Sequence, residues 1–203
     1  MLFGQLILKL RRVGLHSFRY CVCSYAHFTQ LNAPRRSINF FSKSTHPQNE
    51  QERLQLLMLG NPILRKRSEI VSFDSGIAST LKWLSPLSRD MGSLMQAEYG
   101  AGLAAPQIGR NLRMFVMLET DLDDPNAAVQ VDPVVVINPK ILKLEGALEF
   151  DFEGCLSVPL IAALVPRATT AHVSYVDGCG NAVTRELHGW AARIFQHEVR
   201  HCN

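Results

Sequence analysis

The chain has 203 residues, 47% hydrophobic and 19% charged, with a formal charge of +3. That composition suits one globular domain with a sizeable core, and no apolar run reaches the length needed to span a bilayer. Residues 1–49 hold seven Lys and Arg and no Asp or Glu, so the remainder carries fourteen basic against eighteen acidic residues, a net of −4, with no basic excess for nucleic acid or an anionic membrane. An acid-free, Arg-rich, Ser-containing N-terminus has the make-up of an organelle transit peptide. Coiled as a helix, it puts Leu2, Leu6 and Leu10 on one face, with Lys9 and Arg12 elsewhere. Lys9 interrupts the apolar run and no positive charge precedes Leu6, which argues against a secretory signal; a disordered basic tail is the other reading. Residues 42–53 turn polar and read as a linker, so residues 1–53 are expected to be transit peptide and linker, and residues 54–203 the folded domain. The Arg content and apolar-basic opening favour the mitochondrial matrix over a plastid. Five cysteines, two of them in the expected leader, do not suggest a disulfide framework.

Further along, residues 77–99 show helical spacing through Ile77, Leu81, Leu84, Leu87, Met91, Leu94 and Met95, with Pro86 expected to interrupt or kink the helix. Residues 112–118 and 134–137 are apolar and partly β-branched, and read as strands. Residues 120–132, acidic and carrying Pro125, read as an exposed loop. Residues 170–176 and 181–187 flank Asp177-Gly178-Cys179-Gly180, a hairpin signal. Residues 189–202 lack Pro and any later Gly and are expected to form a helix. Strands followed by a terminal helix indicate an α+β fold, with the helix packed on a mostly antiparallel sheet.

Three stretches carry chemistry. In His197-Glu198-Val199-Arg200-His201 the two histidines lie four residues apart, hence on one helix face, where they can hold one transition metal. Glu198 stands beside the first ligand and can handle the proton of an attacking water. Read alone, the same pentapeptide also fits two surface histidines on a charged helix. A metal needs a third protein ligand. The chain stops two residues after His201, so that ligand is sought upstream, and Cys155 in Glu153-Gly154-Cys155-Leu156-Ser157 is the best candidate. On its own Cys155 reads equally as a small buried hydrophobe. The third stretch is Gly100-Ala101-Gly102-Leu103-Ala104-Ala105-Pro106-Gln107-Ile108-Gly109, where glycines admit a substrate backbone and Gln107 offers an amide donor. No Lys-Ser/Thr follows it and its spacing is not that of a dinucleotide fingerprint; a tight packing turn is the alternative.

Taken together and in order, these stretches resemble the three signature motifs of the peptide deformylases, GxGLAAxQxG, EGCLS and HExxH. Gly60-Asn61-Pro62-Ile63-Leu64-Arg65, Ile137-Asn138-Pro139 and Val165-Pro166-Arg167 extend the resemblance over about residues 59–201. It implies an α+β domain of mostly antiparallel sheets packed around a central helix that bears HExxH. It further implies one divalent metal ion held by Cys155, His197 and His201, with Fe²⁺ favoured and Zn²⁺, Co²⁺ or Ni²⁺ able to substitute. The implied reaction removes the formyl group from the initiator methionine of nascent organellar proteins. Glu198 then acts as base and acid, with the Gln107 amide and the Leu156 backbone N–H stabilising the oxyanion. The implied partners are formyl-methionyl nascent peptides and, at a distance, the organellar ribosome. Trp190 and Ile194, seven and three residues before His197, share its helix face and are candidates for the methionine pocket; core packing against the sheet is the equal alternative. Gly100 and Gly102 would let the substrate backbone close in.

Two departures from the family pattern qualify this. Arg200 stands where the family usually has Asp, and either opposes a nearby cation or points outward. The chain ends at Asn203, which predicts a frayed last turn around His201 and a sequence cut short; Cys202 beside the site reads as incidental, with an exposed thiol able to compete for metal as the alternative. These departures support a second hypothesis, a deformylase-like protein of impaired catalysis that binds nascent N-termini. A zinc endopeptidase fits less well, since it leaves the Cys155 and Gln107 stretches unexplained.

Overall fold

The computed structural model describes residues 54–119 and 132–203. The expected leader and linker, and all but the last residue of the expected acidic loop, lie outside the described residues. Among the described residues the regular structure comprises two helices, α1 (Ile77–Ala97) and α2 (Gly189–His201), and five strands. The strands are β1 (Gly102–Ala104), β2 (Met114–Met117), β3 (Val134–Cys155), β4 (Val158–Val176) and β5 (Ala182–His188), and short 3-10 turns form at Pro62–Arg65 and Ala105–Ile108. All neighbouring strands pair antiparallel, in the order β1-β2-β3-β4-β5. The class is α+β, with a single sheet among the described residues. No helix among them is long and apolar enough to cross a membrane.

Strand β2 explains how the layers assemble. Its four residues are all fully buried, and successive side chains point to opposite faces. Phe115 and Met117 join the cluster containing Ile194, Phe195 and Val199 of α2. Met114 and Val116 join the cluster containing Leu84, Met91 and Met95 of α1. A four-residue apolar run is therefore buried from both sides, one helix per face. Phe115 and Phe195 meet edge to face with centroids 5.2 Å apart, a geometry worth about 0.5–1.5 kcal/mol beyond area burial.

Helix α1 overturns one half of an expectation, the interruption at Pro86. It runs from Ile77 to Ala97 without a break, with Pro86 inside it. Proline removes the donor for the Lys82 carbonyl four residues back, and Lys82 and Pro86 both lie on the exposed side of the helix. The helix ends in a Schellman turn: Tyr99 adopts φ +57°, Tyr99 N donates to Gln96 O and Gly100 N to Met95 O. The chain is thereby turned directly into β1.

The expected strands at 112–118 and 134–137 correspond to β2 and the start of β3, and the expected hairpin to the end of β4 and to β5. Asp177 builds that hairpin, its carboxylate accepting from the Cys179 and Asn181 N–H groups at 2.8 Å each. Beyond these segments, β3 and β4 pair from Ile137 and Val176 out to Cys155 and Val158, with bulges on the way. This long hairpin carries the cysteine motif at its tip and brings it back over α2.

Candidate active site

The tip of the β3–β4 hairpin is two residues, Leu156 and Ser157, because Cys155 already pairs with Val158. Cys155 is thus held by strand pairing rather than by a loose loop. His197 and His201 lie one turn apart near the end of α2. The Cys155 Sγ is 3.4 Å from His201 Nε2, which is 3.3 Å from His197 Nε2. All three donor atoms lie within 4.8 Å of one another. Bonds of about 2.0–2.3 Å to tetrahedral corners place those corners roughly 3.3–3.8 Å apart, so the trio suits one small transition metal ion.

The electrostatics agree. Burial alone would raise the Cys155 thiol, but hydrogen bonds with His197 and His201 bring it down to about 6. A thiolate is the ligating form, and it is reached here near neutral pH. Burial works to lower His197, yet Cys155 and Glu153 raise it to about 10. A cation competes with those protons for the same lone pairs.

Glu153 is the residue that orients His197. Its carboxylate accepts from His197 Nδ1 at 3.0 Å, leaving Nε2 to face Cys155. It also accepts from Arg167 Nε and an Arg167 amino group at 2.8 and 2.7 Å, and from Arg193 at 2.9 Å. Burial raises the Glu153 carboxyl, but Arg167 and His197 outweigh that and hold it at about 2. Arg193 donates further to the carbonyls of Val165 and Glu149. Two guanidinium groups thus lock one carboxylate against one histidine, which fixes the ring tautomer and its angle.

Glu198, next to His197 on α2, packs against Gly102 of β1 and is only 4% exposed. Burial raises its carboxyl, and its Oε2 has no hydrogen-bond partner among the described residues. A buried carboxylate oxygen with no protein partner suits a group that exchanges protons with a substrate or water. Room for it comes from Gly102, where a Cβ would lie 2.4 Å from Glu198 Oε1. At Gly100 a Cβ would lie 2.8 Å from the Leu156 side chain. The glycines therefore make space for this protein's own site residues.

Gln107, 1% exposed, is held at both ends of its amide. Its Oε1 accepts from Ala104 N at 2.8 Å, and its Nε2 points to Ser157 Oγ at 3.2 Å and Cys155 Sγ at 3.5 Å. The donor side of the amide is thus directed at the cluster. Ile194 is buried in the core cluster under the sheet, and Trp190 packs at its margin. Arg200 is exposed.

At the chain end one alternative and one expectation are overturned. Cys202 is fully buried, not exposed; its thiol donates to Met114 O at 3.8 Å and burial pushes it up to about 12, so it does not compete as a ligand. The last turn is not frayed either, because Arg113 and Ser68 donate to the Cys202 carbonyl at 3.1 and 3.3 Å. Sequence reasoning missed Arg113, Glu153, Arg167, Arg193 and Ser157. For Glu153 there was a signal: it lies two residues before Cys155 on a strand, hence on the same face.

The sequence matches the polypeptide deformylase family over residues 53–203. The chain belongs to that family. It is 39% identical over 150 residues to the peptide deformylase of Thermotoga maritima, covering 73% of this chain and 81% of that one. The crystal structure of a Thermotoga maritima peptide deformylase superposes with a TM-score of 0.62 at 38% identity, over 74% of this chain and 91% of that one. A class I type b peptide deformylase from Acinetobacter baumannii, crystallised with Met-Ala-Ser bound, superposes with a TM-score of 0.65 at 33% identity, over 74% of this chain and 92% of that one. Peptide deformylases are metalloenzymes that act on formylated nascent peptides, and the Cys155, His197 and His201 group is where this chain could hold an ion.

Proposed function

We propose that this chain is a metal-dependent peptide deformylase of the mitochondrial matrix, removing the formyl group from the initiator methionine of nascent organellar proteins and releasing formate. The observation that carries the reading is the convergence of Cys155 Sγ and two histidine Nε2 atoms beside the buried Glu198 carboxylate, whose Oε2 has no partner among the described residues. Cys155, His197 and His201 are the residues that would hold the ion, Fe²⁺ for preference, with Zn²⁺, Co²⁺ or Ni²⁺ as substitutes. When bound, such an ion supplies Lewis acidity that makes water a nucleophile near neutral pH.

The remaining work belongs to the protein. Glu198 takes the proton of the attacking water as the formyl carbon becomes tetrahedral, then delivers it to the departing methionine amine. The Gln107 amide and the Leu156 backbone N–H donate to the oxyanion. Pinning Gln107 Oε1 on Ala104 N means its Nε2 needs no reorientation during reaction. Glu153, locked by Arg167 and Arg193, holds the His197 ring, so the helix bearing His197 and His201 acts as the central element of the site. Trp190, partly buried at the margin of the core, lines the pocket for the methionine side chain with Ile194 packed behind it, and Gly100 and Gly102 keep the approach to it open. A relative that holds Met-Ala-Ser in its crystal supports a peptide with N-terminal methionine as the ligand class. The acid-free segment at residues 1–49 supports import, and nascent chains at the organellar ribosome would be the partners.

The test is formate release from a formyl-methionyl tripeptide by protein loaded anaerobically with Fe²⁺ or Co²⁺, with Glu198→Gln as control. Turnover in the wild type that vanishes in the control establishes the enzyme. Metal bound without turnover would replace this reading with a module that binds nascent N-termini.

A further inference from the structure

Arg113 stands at the start of β2 and is absent from every motif that the sequence displays. Strand pairing fixes its backbone: Arg113 N donates to Glu69 O at 2.7 Å, and Asn138 N donates to Arg113 O at 2.8 Å. Its guanidinium then reaches two separate elements. Nε and one amino group both donate to Pro139 O, at 3.2 and 3.0 Å. The other amino group donates to Cys202 O at 3.1 Å and to Asn203 Oδ1 at 2.8 Å. The acceptor Cys202 O caps the C-terminus of α2, where helix carbonyls lack intrahelical donors and a cation is favoured. The platform under the guanidinium is itself braced. Asn138, at φ +53°, pairs its side-chain amide with both Val71 N and Val71 O at 2.9 Å.

We infer that Arg113 is a positioning residue for the metal centre: it ties the last turn of α2, and with it His201, to the β2–β3 platform. His201 immediately precedes Cys202, so the clamp acts one residue from a ligand. Cys155 and His197 have their own supports, the hairpin pairing for one and Glu153 for the other. The described hydrogen bonds give the His201 ring no partner other than the two fellow ligands. Its place depends on the backbone of its turn, and the two side-chain anchors of that backbone are the Arg113 fork and the buried Cys202 thiol. Only a planar, multi-donor cation can serve Pro139 O and Cys202 O together; a lysine ammonium keeps the charge but not the fork.

The inference rests on the metal reading above, and its test separates the two. Co²⁺ affinity would be measured by competition with a chromophoric chelator for wild type, Arg113→Met, Arg113→Lys and Met91→Ala. The last variant removes a buried side chain of the α1 cluster, remote from α2, and controls for lost stability. The expected result is Co²⁺ binding weakened about 10- to 100-fold in Arg113→Met, as for lost supports of ligating groups, and partly restored in Arg113→Lys. Met91→Ala should bind as wild type even where its unfolding midpoint is lower. The sign is diagnostic, because deleting a positive charge near a cation site should by itself strengthen binding. Unchanged or tighter binding in Arg113→Met, or equal weakening in Met91→Ala, overturns the clamp. A wild type that binds no Co²⁺ overturns the metal reading and the clamp with it.

Discussion

At Gly102 a single methyl group decides whether the Glu198 carboxylate keeps its place. The added Cβ would sit 2.4 Å from Glu198 Oε1, far inside contact distance, and the carboxylate is enclosed on its other sides. Gly102→Ala must therefore move Glu198, and a displacement near 1 Å at reacting groups costs about 10²-fold in rate. The expected outcome is turnover of formyl-methionyl peptide down by about that factor with the ion still bound. Unaltered turnover would mean that Glu198 has slack which the packing does not show. Gln107→Ala removes a donor held in place by Ala104 N, and kcat should fall about 10²- to 10³-fold with a smaller change in KM. A loss confined to KM would make Gln107 a binding residue. At this scale the sequence was legible where chemistry restricts residue type: two histidines four apart, a carboxylate between them, a cysteine and an amide. It was not legible where the reason is steric. The glycines read as room for substrate, whereas the packing also spends that room on Leu156 and Glu198.

The outer half of β3 shows a different way in which a pattern misleads. Leu148-Glu149-Phe150-Asp151-Phe152-Glu153 alternates as a half-buried strand should, with period two. Yet the apolar side faces out, Leu148 and Phe150 being 68% and 65% exposed, while the Glu153 side chain is only 7% exposed. Of the polar side only Glu153 is drawn inward, because the guanidinium groups of Arg167 and Arg193 are buried there with Glu153 as their common anion, while Glu149 stays exposed. Alternation reveals the strand but not which face the core takes, since that depends on charges 14 and 40 residues away. The same network makes a sharp prediction. Glu153→Gln keeps the shape but strands two buried cations, and breaking a buried ion pair from one side costs about 3–5 kcal/mol. It also frees the His197 ring, so ion affinity should drop about 10- to 100-fold. Urea unfolding and chelator competition measure the two effects separately. A variant destabilised with full affinity would show that Glu153 serves the hairpin and not the histidine.

For the molecule as a whole, the candidate centre joins parts of the chain that no local pattern connects. Cys155 and His201 are 46 residues apart, and what brings them together is the length of the β3–β4 hairpin and the way β5 returns the chain to α2. Antiparallel pairing and terminal helix were readable; the reach of the hairpin was not, because its outer half has no buried apolar face. An ion bound by Cys155 on one element and by His197 and His201 on another should act as a cross-link between hairpin and helix. The unfolded chain offers no such preformed site, so binding free energy adds to folding free energy. With free ion at about 100 times its dissociation constant the gain is about 2.7 kcal/mol. At about 2–4 °C per kcal/mol for a chain of this size, that raises Tm by roughly 5–11 °C. Saturating Zn²⁺ or Co²⁺ should produce that shift in wild type, a chelator should reverse it, and Cys155→Ala should lose most of it. If Cys155→Ala kept the full shift, the ion would be held elsewhere, and the hairpin tip would have to be read as packing alone. If the wild type shifted and Arg113→Met shifted much less at the same ion concentration, the cross-link would be shown to depend on the clamped last turn of α2 as well as on the ligands themselves.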